Sequence, residues 1–198
     1  NAPDAERGLS AAAVFQKECS AIRPAGVERG LCEHGLGVLA DMRGDLTGAE
    51  QHLRQALWAW DDSGTLRSGM RFKAGLSLGE VLSRQGRYAE ALEVFTAAGA
   101  QRPEVMSRIG LVRGETGKLT VARRLLNEAI AAFEAAKQAD RPELAYALNS
   151  LASVEIRQGA FQDAESHARR AMKLAAESLG EGRYANAELS LRRAHLRT

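Results

Sequence analysis

The chain has 198 residues, of which 45% are hydrophobic and 26% are charged, and its formal net charge is +2. This composition is ordinary for a folded soluble protein, and a charge so close to balance gives no electrostatic reason to expect a nucleic acid or a membrane surface as a partner. No apolar run approaches the roughly 20 residues that are needed to span a bilayer, so we expect no membrane segment.

Residues 1–26 are predicted to hold an N-terminal helix at 4–22, followed by a break at Pro24. Leu9 and Ala12 echo a spacing that recurs in the repeats further along, so a second interpretation makes this helix the second helix of a truncated repeat. The chain begins with Asn and Ala instead of Met, which leaves open that it is a fragment of a larger protein.

The two cysteines, Cys19 and Cys32, both fall on predicted helices. Two cysteines do not make the disulfide framework that is typical of a small secreted protein. We therefore predict two free, buried thiols in a reducing compartment and, with them, a cytoplasmic location.

One pattern recurs four times between residues 27 and 179. A small residue follows an aliphatic one, a glycine comes seven residues later, and an alanine comes five residues after that glycine. The small residues are Gly37, Gly79, Gly110 and Ala152, the glycines are Gly44, Gly86, Gly117 and Gly159, and the alanines are Ala49, Ala91, Ala122 and Ala164. Each copy is predicted to be a helix-turn-helix repeat, because glycine takes the left-handed conformation at the end of a first helix at little cost.

The four repeats are predicted at about 27–63, 64–102, 103–140 and 141–179. Their helices are predicted near 27–43 and 46–61, 65–85 and 88–100, 104–116 and 119–139, and on either side of the glycine turn between 142 and 179. The small residues are 42, 31 and 42 positions apart, whereas the usual unit of this kind has about 34 residues. Longer helices are therefore expected on both sides of the first and third loops between repeats.

The small residues let the two helices of a repeat approach closely, and each is predicted to face the alanine on the second helix. One hairpin cannot bury its apolar face alone, so neighbouring repeats must stack. Residues 180–198 are predicted to hold a C-terminal helix at 184–197 with one apolar face and several arginines. We interpret it as a capping helix, and the alternative is the first helix of a truncated fifth repeat. Arginines on such a helix usually form a solvated face, so nucleic acid is not an expected partner.

The pattern resembles the tetratricopeptide repeat over roughly residues 27–179, most clearly in each second helix. The longer repeats, with the run ALNSLA at 147–152, are similar to those of kinesin light chains and bacterial signalling proteins. The positions of the family's early Trp and of its Tyr hold other residues here, namely Glu33, Gly75, Met106 and Leu148, and Ala40, Leu82, Arg113 and Glu155. The resemblance implies an all-α fold, an α-α superhelix or solenoid of about four repeats with flanking helices.

Three local patterns suggest chemical sites but lack the context that those sites need. GLGVLA at 35–40 matches a loose dinucleotide pattern but lies inside a predicted helix with no strand before it. GETGK at 114–118 lacks the flanking residues of a phosphate loop. The histidines are not clustered as metal ligands are. We therefore predict no enzyme activity, no cofactor and no metal.

Trp58 and Trp60 are the only tryptophans, and two residues apart on a helix they point in different directions. We expect at least one of them to pack against a neighbouring repeat. The alternative is an exposed anchor for a partner.

The resemblance also implies that the first helices line a concave groove in which a partner binds. By register, the residues predicted to face this groove are His34, Asp41, Lys73, Glu80, Arg84, Ser107, Tyr146, Asn149, Ser153 and Arg157. Asn149 has the most ligand-like chemistry, because its amide can both donate to and accept from a peptide backbone, and the alternative is a bond to the adjacent repeat. The family's Lys/Asn/Arg carboxylate clamp is not visible in register, so capture of a chaperone-type C-terminus is not predicted.

Three functional hypotheses follow from this sequence. The first is a non-catalytic protein-protein interaction scaffold that binds a peptide or protein partner in the concave groove. The second is an effector-sensing regulatory module of a larger bacterial signalling or transcription-regulator protein. The third is a self-association module, in which the N-terminal or C-terminal helix pairs in a homodimer.

Overall fold

The computed structural model describes residues 14–15, 17–19, 26–62, 68–136 and 142–179. Within these ranges the chain consists of helices and the turns that connect them, and no strand is found there. The eight helices are α1 (Val27–Met42), α2 (Leu46–Asp62), α3 (Ser68–Arg84), α4 (Tyr88–Gly99), α5 (Pro103–Glu115), α6 (Leu119–Ala135), α7 (Pro142–Gln158) and α8 (Phe161–Leu179). The all-α fold of four helix-turn-helix repeats is confirmed.

The helices that flank the first and third loops between repeats are longer than those that flank the second, as predicted. The helices α2 and α3, which flank the first loop between repeats, have 17 residues each, as do α6 and α7 around the third loop. The helices α4 and α5 have 12 and 13 residues. No helix in the described ranges is long and apolar enough to cross a membrane. The predicted helix at 184–197 and most of residues 1–26 lie outside the described residues.

The four turn glycines have left-handed backbones, with φ of 81° at Gly44, 76° at Gly86, 80° at Gly117 and 81° at Gly159. In each turn the residue after the glycine donates its amide back to a carbonyl five residues earlier, as Lys118 does to Arg113 at 2.8 Å. This hydrogen bond satisfies one of the carbonyls that a helix leaves without a partner at its C-terminal end. The predicted role of these glycines is confirmed.

The chain divides into two compact units, residues 1–98 and residues 99–198. In the N-terminal unit, α2 packs against both α1 and α3. Trp60 is 1% exposed and shares a core with Ala56 and with Ala74 of the next repeat, so the prediction of one core tryptophan is confirmed. Trp58 is 58% exposed, and the Arg29 guanidinium lies 5.6 Å from the centroid of its indole ring.

The small residues of the first helices pack against a larger side chain of the second helix than the predicted alanine. A Cβ on Gly37 would lie 2.7 Å from Leu53 Cγ and 3.3 Å from the Ala49 carbonyl oxygen. A Cβ on Gly79 would lie 2.6 Å from Phe95 Cδ1. The two helices of each of these repeats therefore approach closely at the small residue, as predicted. The side chain that fills the space there is the apolar residue one turn after the predicted alanine.

The C-terminal unit repeats this arrangement. Here α6 packs against both α5 and α7, and α7 packs against α8. A Cβ on Gly110 would lie 2.8 Å from Leu126 Cγ, the same relationship as in the N-terminal unit. Leu126 and Phe133 of α6 join Leu148 and Leu151 of α7 in one buried core, so stacking of neighbouring repeats supplies the apolar burial.

The prediction of two free cysteines is wrong. Cys19 and Cys32 form a disulfide, with their Cα atoms 5.7 Å apart. Phe15 and Cys19 of the described N-terminal segment, residues 14–15 and 17–19, lie against α1, and a Cβ on Gly35 would fall 2.5 Å from Phe15 Cζ. The sequence could not show this, because the approach of the segment to α1 is a tertiary contact. The two cysteines therefore give no support to a reducing compartment. The cytoplasmic location stays a prediction.

Candidate functional site

Five of the predicted groove residues lie on the first helices of the N-terminal unit, His34 and Asp41 on α1 and Lys73, Glu80 and Arg84 on α3. The two helices are in contact. Arg84 Nη1 donates to Asp41 Oδ1, and the two side chains are 51% and 36% exposed. The structure thus brings two predicted residues together as an ion pair, and exposed pairs of this kind contribute little to stability.

His34 is partly buried beside Trp60, with 6.2 Å between the two ring centroids. Its Nε2 is buried and has no hydrogen-bond partner among the described residues. Burial lowers the pKa of His34 below its ordinary value, and the nearby Lys73 ammonium lowers this pKa further. His34 is therefore a neutral group at neutral pH.

In the C-terminal unit the predicted residues on α7 form one stripe. Tyr146, Asn149, Ser153 and Arg157 are spaced by three, four and four residues, so they share one helical face. All four are at least partly exposed. The stripe lies beside α5, which contacts α7.

Contacts with α5 hold both ends of this stripe. The Arg108 guanidinium lies over the Tyr146 ring, with Cζ 3.9 Å from the ring centroid, a cation–π contact. At the other end, Arg157 Nη1 donates to the Gly114 carbonyl and lies 3.9 Å from Glu115 Oε2. Sequence reasoning missed Arg108, because its aromatic partner is on another helix and no local pattern links the two.

Ser107 was predicted to face the groove, but the structure places its side chain in the interior. Its side chain is fully buried, and its hydroxyl donates to the Pro103 carbonyl at 2.7 Å. A buried hydroxyl that bonds its own helix cannot contact a partner, so Ser107 does not belong to the exposed face.

Arg84 and Arg157 occupy equivalent positions, each five residues after the small residue of its repeat. Each reaches back to the end of the preceding first helix, Arg84 to Asp41 and Arg157 to Gly114. We call the surface formed by α1 and α3 the N-terminal face and the surface formed by α5 and α7 the C-terminal face. Both faces are built from first helices.

Two other histidines pair with glutamates of the first helices α1 and α7. His52 Nδ1 lies 2.8 Å from Glu33 Oε2, and His167 Nδ1 lies 2.8 Å from Glu155 Oε2. Both histidines are on second helices, fifteen residues after the small residue of their repeat. In the part of the chain that the structure describes, no group of three His, Cys, Asp or Glu side chains could hold a metal ion.

The helix pairs, their glycine turns and their first-helix faces define a protein built from helix-turn-helix repeats. Residues 101–177 match the tetratricopeptide repeat family. The family predicted from the sequence is thus confirmed for this part of the chain. No curated protein is significantly similar to the chain in sequence.

Solved structures of repeat proteins share the fold. BtubC (BKLC) from P. vanneervenii is 17% identical with a TM-score of 0.65, and the alignment covers 98% of this chain and 87% of that one. The TPR-like repeats of a putative kinesin light chain from Podosopora anserina are 18% identical with a TM-score of 0.60, covering 83% and 84%. The apo form of RapI is 17% identical with a TM-score of 0.66, covering 86% of this chain and 64% of RapI. At these identities the likeness concerns the fold alone.

Proposed function

We propose that this chain is a non-catalytic protein-interaction scaffold and that a peptide or protein partner binds on its C-terminal face. The observation that carries the proposal is the aligned stripe of Tyr146, Asn149, Ser153 and Arg157 on α7, with Arg108 stacked on the tyrosine. The tetratricopeptide repeats of residues 101–177 include this face.

The residue types of the stripe suit a binding surface. Tyr and Arg are among the residues that dominate binding energy at protein interfaces. An Asn amide offers both a donor and an acceptor to a peptide backbone, and Asn149 lies one turn from Tyr146. The face therefore combines an aromatic anchor with polar groups that can fix the register of an extended chain.

The contacts at the ends of the stripe support the proposal energetically. Arg108 restrains the Tyr146 ring, and the Gly114 carbonyl restrains Arg157. Ordering a free side chain on binding costs about 0.5–1.5 kcal/mol. Side chains that are already held in place avoid part of this cost, so the face is prepared for a partner.

The N-terminal face is a weaker candidate. Arg84 and Asp41 neutralise each other there, and His34 is partly buried with a lowered pKa. The five predicted residues of this face also include no Tyr or Trp, whereas the C-terminal face presents Tyr146. We therefore assign the main contact to the C-terminal face.

The test is a comparative capture of partners from a lysate of the source organism, identified by mass spectrometry. The baits are the wild-type chain, a Tyr146→Ala/Asn149→Ala variant and a matched control, Gln162→Ala/Ser166→Ala, which changes two exposed residues of α8. Circular dichroism verifies that each bait is folded. Any captured partner is then purified and its dissociation constant is measured with all three baits.

Truncating an interface anchor typically costs more than about 1 kcal/mol, so the double variant should bind a true partner at least about tenfold more weakly. The control should bind as the wild type does. A partner with equal affinity for all three baits would refute binding on the C-terminal face. The next candidates would then be the N-terminal face and self-association. The helix predicted at 184–197, through which the chain would self-associate, lies outside the described residues.

A further inference from the structure

We propose that the Cys19–Cys32 disulfide is a redox-controlled clamp that holds the N-terminal segment, residues 14–15 and 17–19, against α1 in the place of a preceding second helix. This inference is independent of the proposed binding on the C-terminal face. It rests on the register of Cys32 within the repeat, on a second contact at Gly35 and on the accessibility of the bond.

The register of Cys32 shows what normally lies at its position. Cys32 is five residues before the small residue of its repeat, and two of the three equivalent positions in the other repeats are Ala74 and Ala147. Ala74 shares a core with Trp60 of the preceding second helix α2. Ala147 shares a core with Phe133 of the preceding second helix α6. This position of a first helix therefore faces the second helix of the repeat before it.

Cys32 has Cys19 at this position instead. A second contact fixes the direction of the segment, because Phe15 packs at Gly35, where a Cβ would lie 2.5 Å from the ring. Phe15 precedes Cys19 by one helical turn, whereas Gly35 follows Cys32 by about one turn. The earlier residue of the segment thus contacts the later residue of α1. The segment is therefore antiparallel to α1, as α2 is within repeat one.

None of the described residues of the segment is fully buried, unlike Trp60 of α2. Trp60 is 1% exposed where α2 meets α3. Val14, by contrast, is 53% exposed, and Lys17 and Glu18 are exposed as well. With so little burial, noncovalent packing holds the segment weakly, and the covalent bond becomes the main restraint on it.

Both cysteines are only partly buried, so a small thiol can reach the bond. A thiolate attacks one sulfur and breaks the S–S bond, which leaves a mixed disulfide and one cysteine thiolate that takes a proton. A second thiol then attacks the mixed disulfide and releases the other cysteine. Two electrons pass from the external thiols, which leave as their own disulfide, to Cys19 and Cys32. The segment is then free to leave α1.

The test is hydrogen exchange on the full chain, read by mass spectrometry, in the oxidised form and after reduction with dithiothreitol. The chain has only two cysteines, so any effect of the reductant acts through this bond. We expect amide exchange in residues 14–19 to become at least tenfold faster on reduction and to slow again on reoxidation. Residues 142–179 of the C-terminal unit, which lack cysteine, should not change.

A Cys19→Ser/Cys32→Ser variant should exchange like the reduced chain, with or without dithiothreitol. Oxidised protein that carries Phe15→Ala should keep its slow exchange, because the disulfide remains. Three results would overturn the proposal. They are equal exchange in the oxidised and reduced chains, two titratable thiols after aerobic purification, and faster exchange throughout α2 and α3 on reduction, which would make the bond a staple for the whole N-terminal unit.

Discussion

His167 on α8 lies 2.8 Å from Glu155 on α7, measured from Nδ1 to Oε2, although the Glu155 side chain is only 1% exposed. Arg123 of α6 approaches the other carboxylate oxygen, with Nη2 3.8 Å from Oε1, and also lies 3.3 Å from Asp163 Oδ2. A buried carboxylate needs such partners, because an unpaired buried charge is costly. Glu155 therefore connects three helices of the C-terminal unit through charge.

Replacing Glu155 by Ala should destabilise the C-terminal unit by about 2–3 kcal/mol, because it removes the partner of His167 and leaves a cavity beside α7. The measurement is urea unfolding followed by circular dichroism, with hydrogen exchange of residues 142–179 to localise the effect. The matched control is Glu128→Ala, which removes the exposed ion pair of Glu128 with Arg124 and should cost at most about 0.5 kcal/mol. Equal effects of the two substitutions would contradict a structural role for the buried carboxylate.

The His167–Glu155 pair should make the stability of the C-terminal unit depend on pH. The hydrogen bond that the His167 imidazole donates to the Glu155 carboxylate raises the pKa of His167 above 6.5, against the opposing effect of burial. The protonated form is thus favoured by folding, so its stabilisation is complete below pH 6.5 and is lost as the pH rises through the raised pKa. His167→Gln should cost about 1 kcal/mol near pH 5.5 and less near pH 9. A cost that is the same at both values would refute this linkage.

His34 should show the opposite dependence in the N-terminal unit. Burial and the Lys73 ammonium lower the pKa of His34 below 6.5, so its neutral form is favoured by folding. Stability is lost as the pH falls from 6.5 through the lowered pKa. We expect His34→Gln to reduce the acid sensitivity of the N-terminal unit, measured by tryptophan fluorescence, since both tryptophans lie there. His167→Gln serves as the control, and it should leave this fluorescence transition unchanged.

Gly30 should tolerate no side chain, because a Cβ there would lie 2.5 Å from Trp60 Cε2. Gly30→Ala should therefore destabilise the N-terminal unit by about 1–3 kcal/mol, despite the better helix propensity of Ala. The matched control is Gly69→Ala on α3, where no heavy atom lies within 4 Å of the added Cβ. That change should be neutral or stabilise by up to about 1 kcal/mol. Urea unfolding distinguishes the two, and a stabilising Gly30→Ala would show that Trp60 does not pack there.

The two tryptophans should differ sharply on truncation. Trp60→Ala should cost about 3–5 kcal/mol, because a large side chain that is 1% exposed leaves a cavity. Trp58→Ala should cost under about 1 kcal/mol, since the ring is 58% exposed and loses mainly its contact with Arg29. Acrylamide should quench the fluorescence of the Trp60→Ala variant, which retains Trp58, far more than that of the Trp58→Ala variant. Similar quenching of both would contradict the burial of Trp60.

The helix boundaries and turns of this protein could be predicted because local physics decides them. A glycine at the end of each first helix takes a left-handed conformation that other residues adopt only at a cost, and the apolar period identifies the helices on either side. The spacing of 42, 31 and 42 residues between repeats also predicted which helices are longer. None of these inferences needs to know which distant residues meet.

The candidate site was predictable only in part. Helical periodicity places Tyr146, Asn149, Ser153 and Arg157 on one face, whatever that helix packs against. The burial of Ser107 and the stacking of Arg108 on Tyr146 depend on how α5 sits against its neighbours, and nothing in the local sequence signals either.

The sequence by itself therefore determined the repeats, their helices, their glycine turns and the register of the first-helix faces, because these follow from interactions between residues close in the chain. Only the tertiary structure decided which side chains meet across helices. It joined Cys19 to Cys32, buried Trp60 while exposing Trp58, and paired Glu155 with His167. The physical reason is that such contacts depend on the close packing of separate helices, in which a shift of a few ångströms makes or breaks a bond.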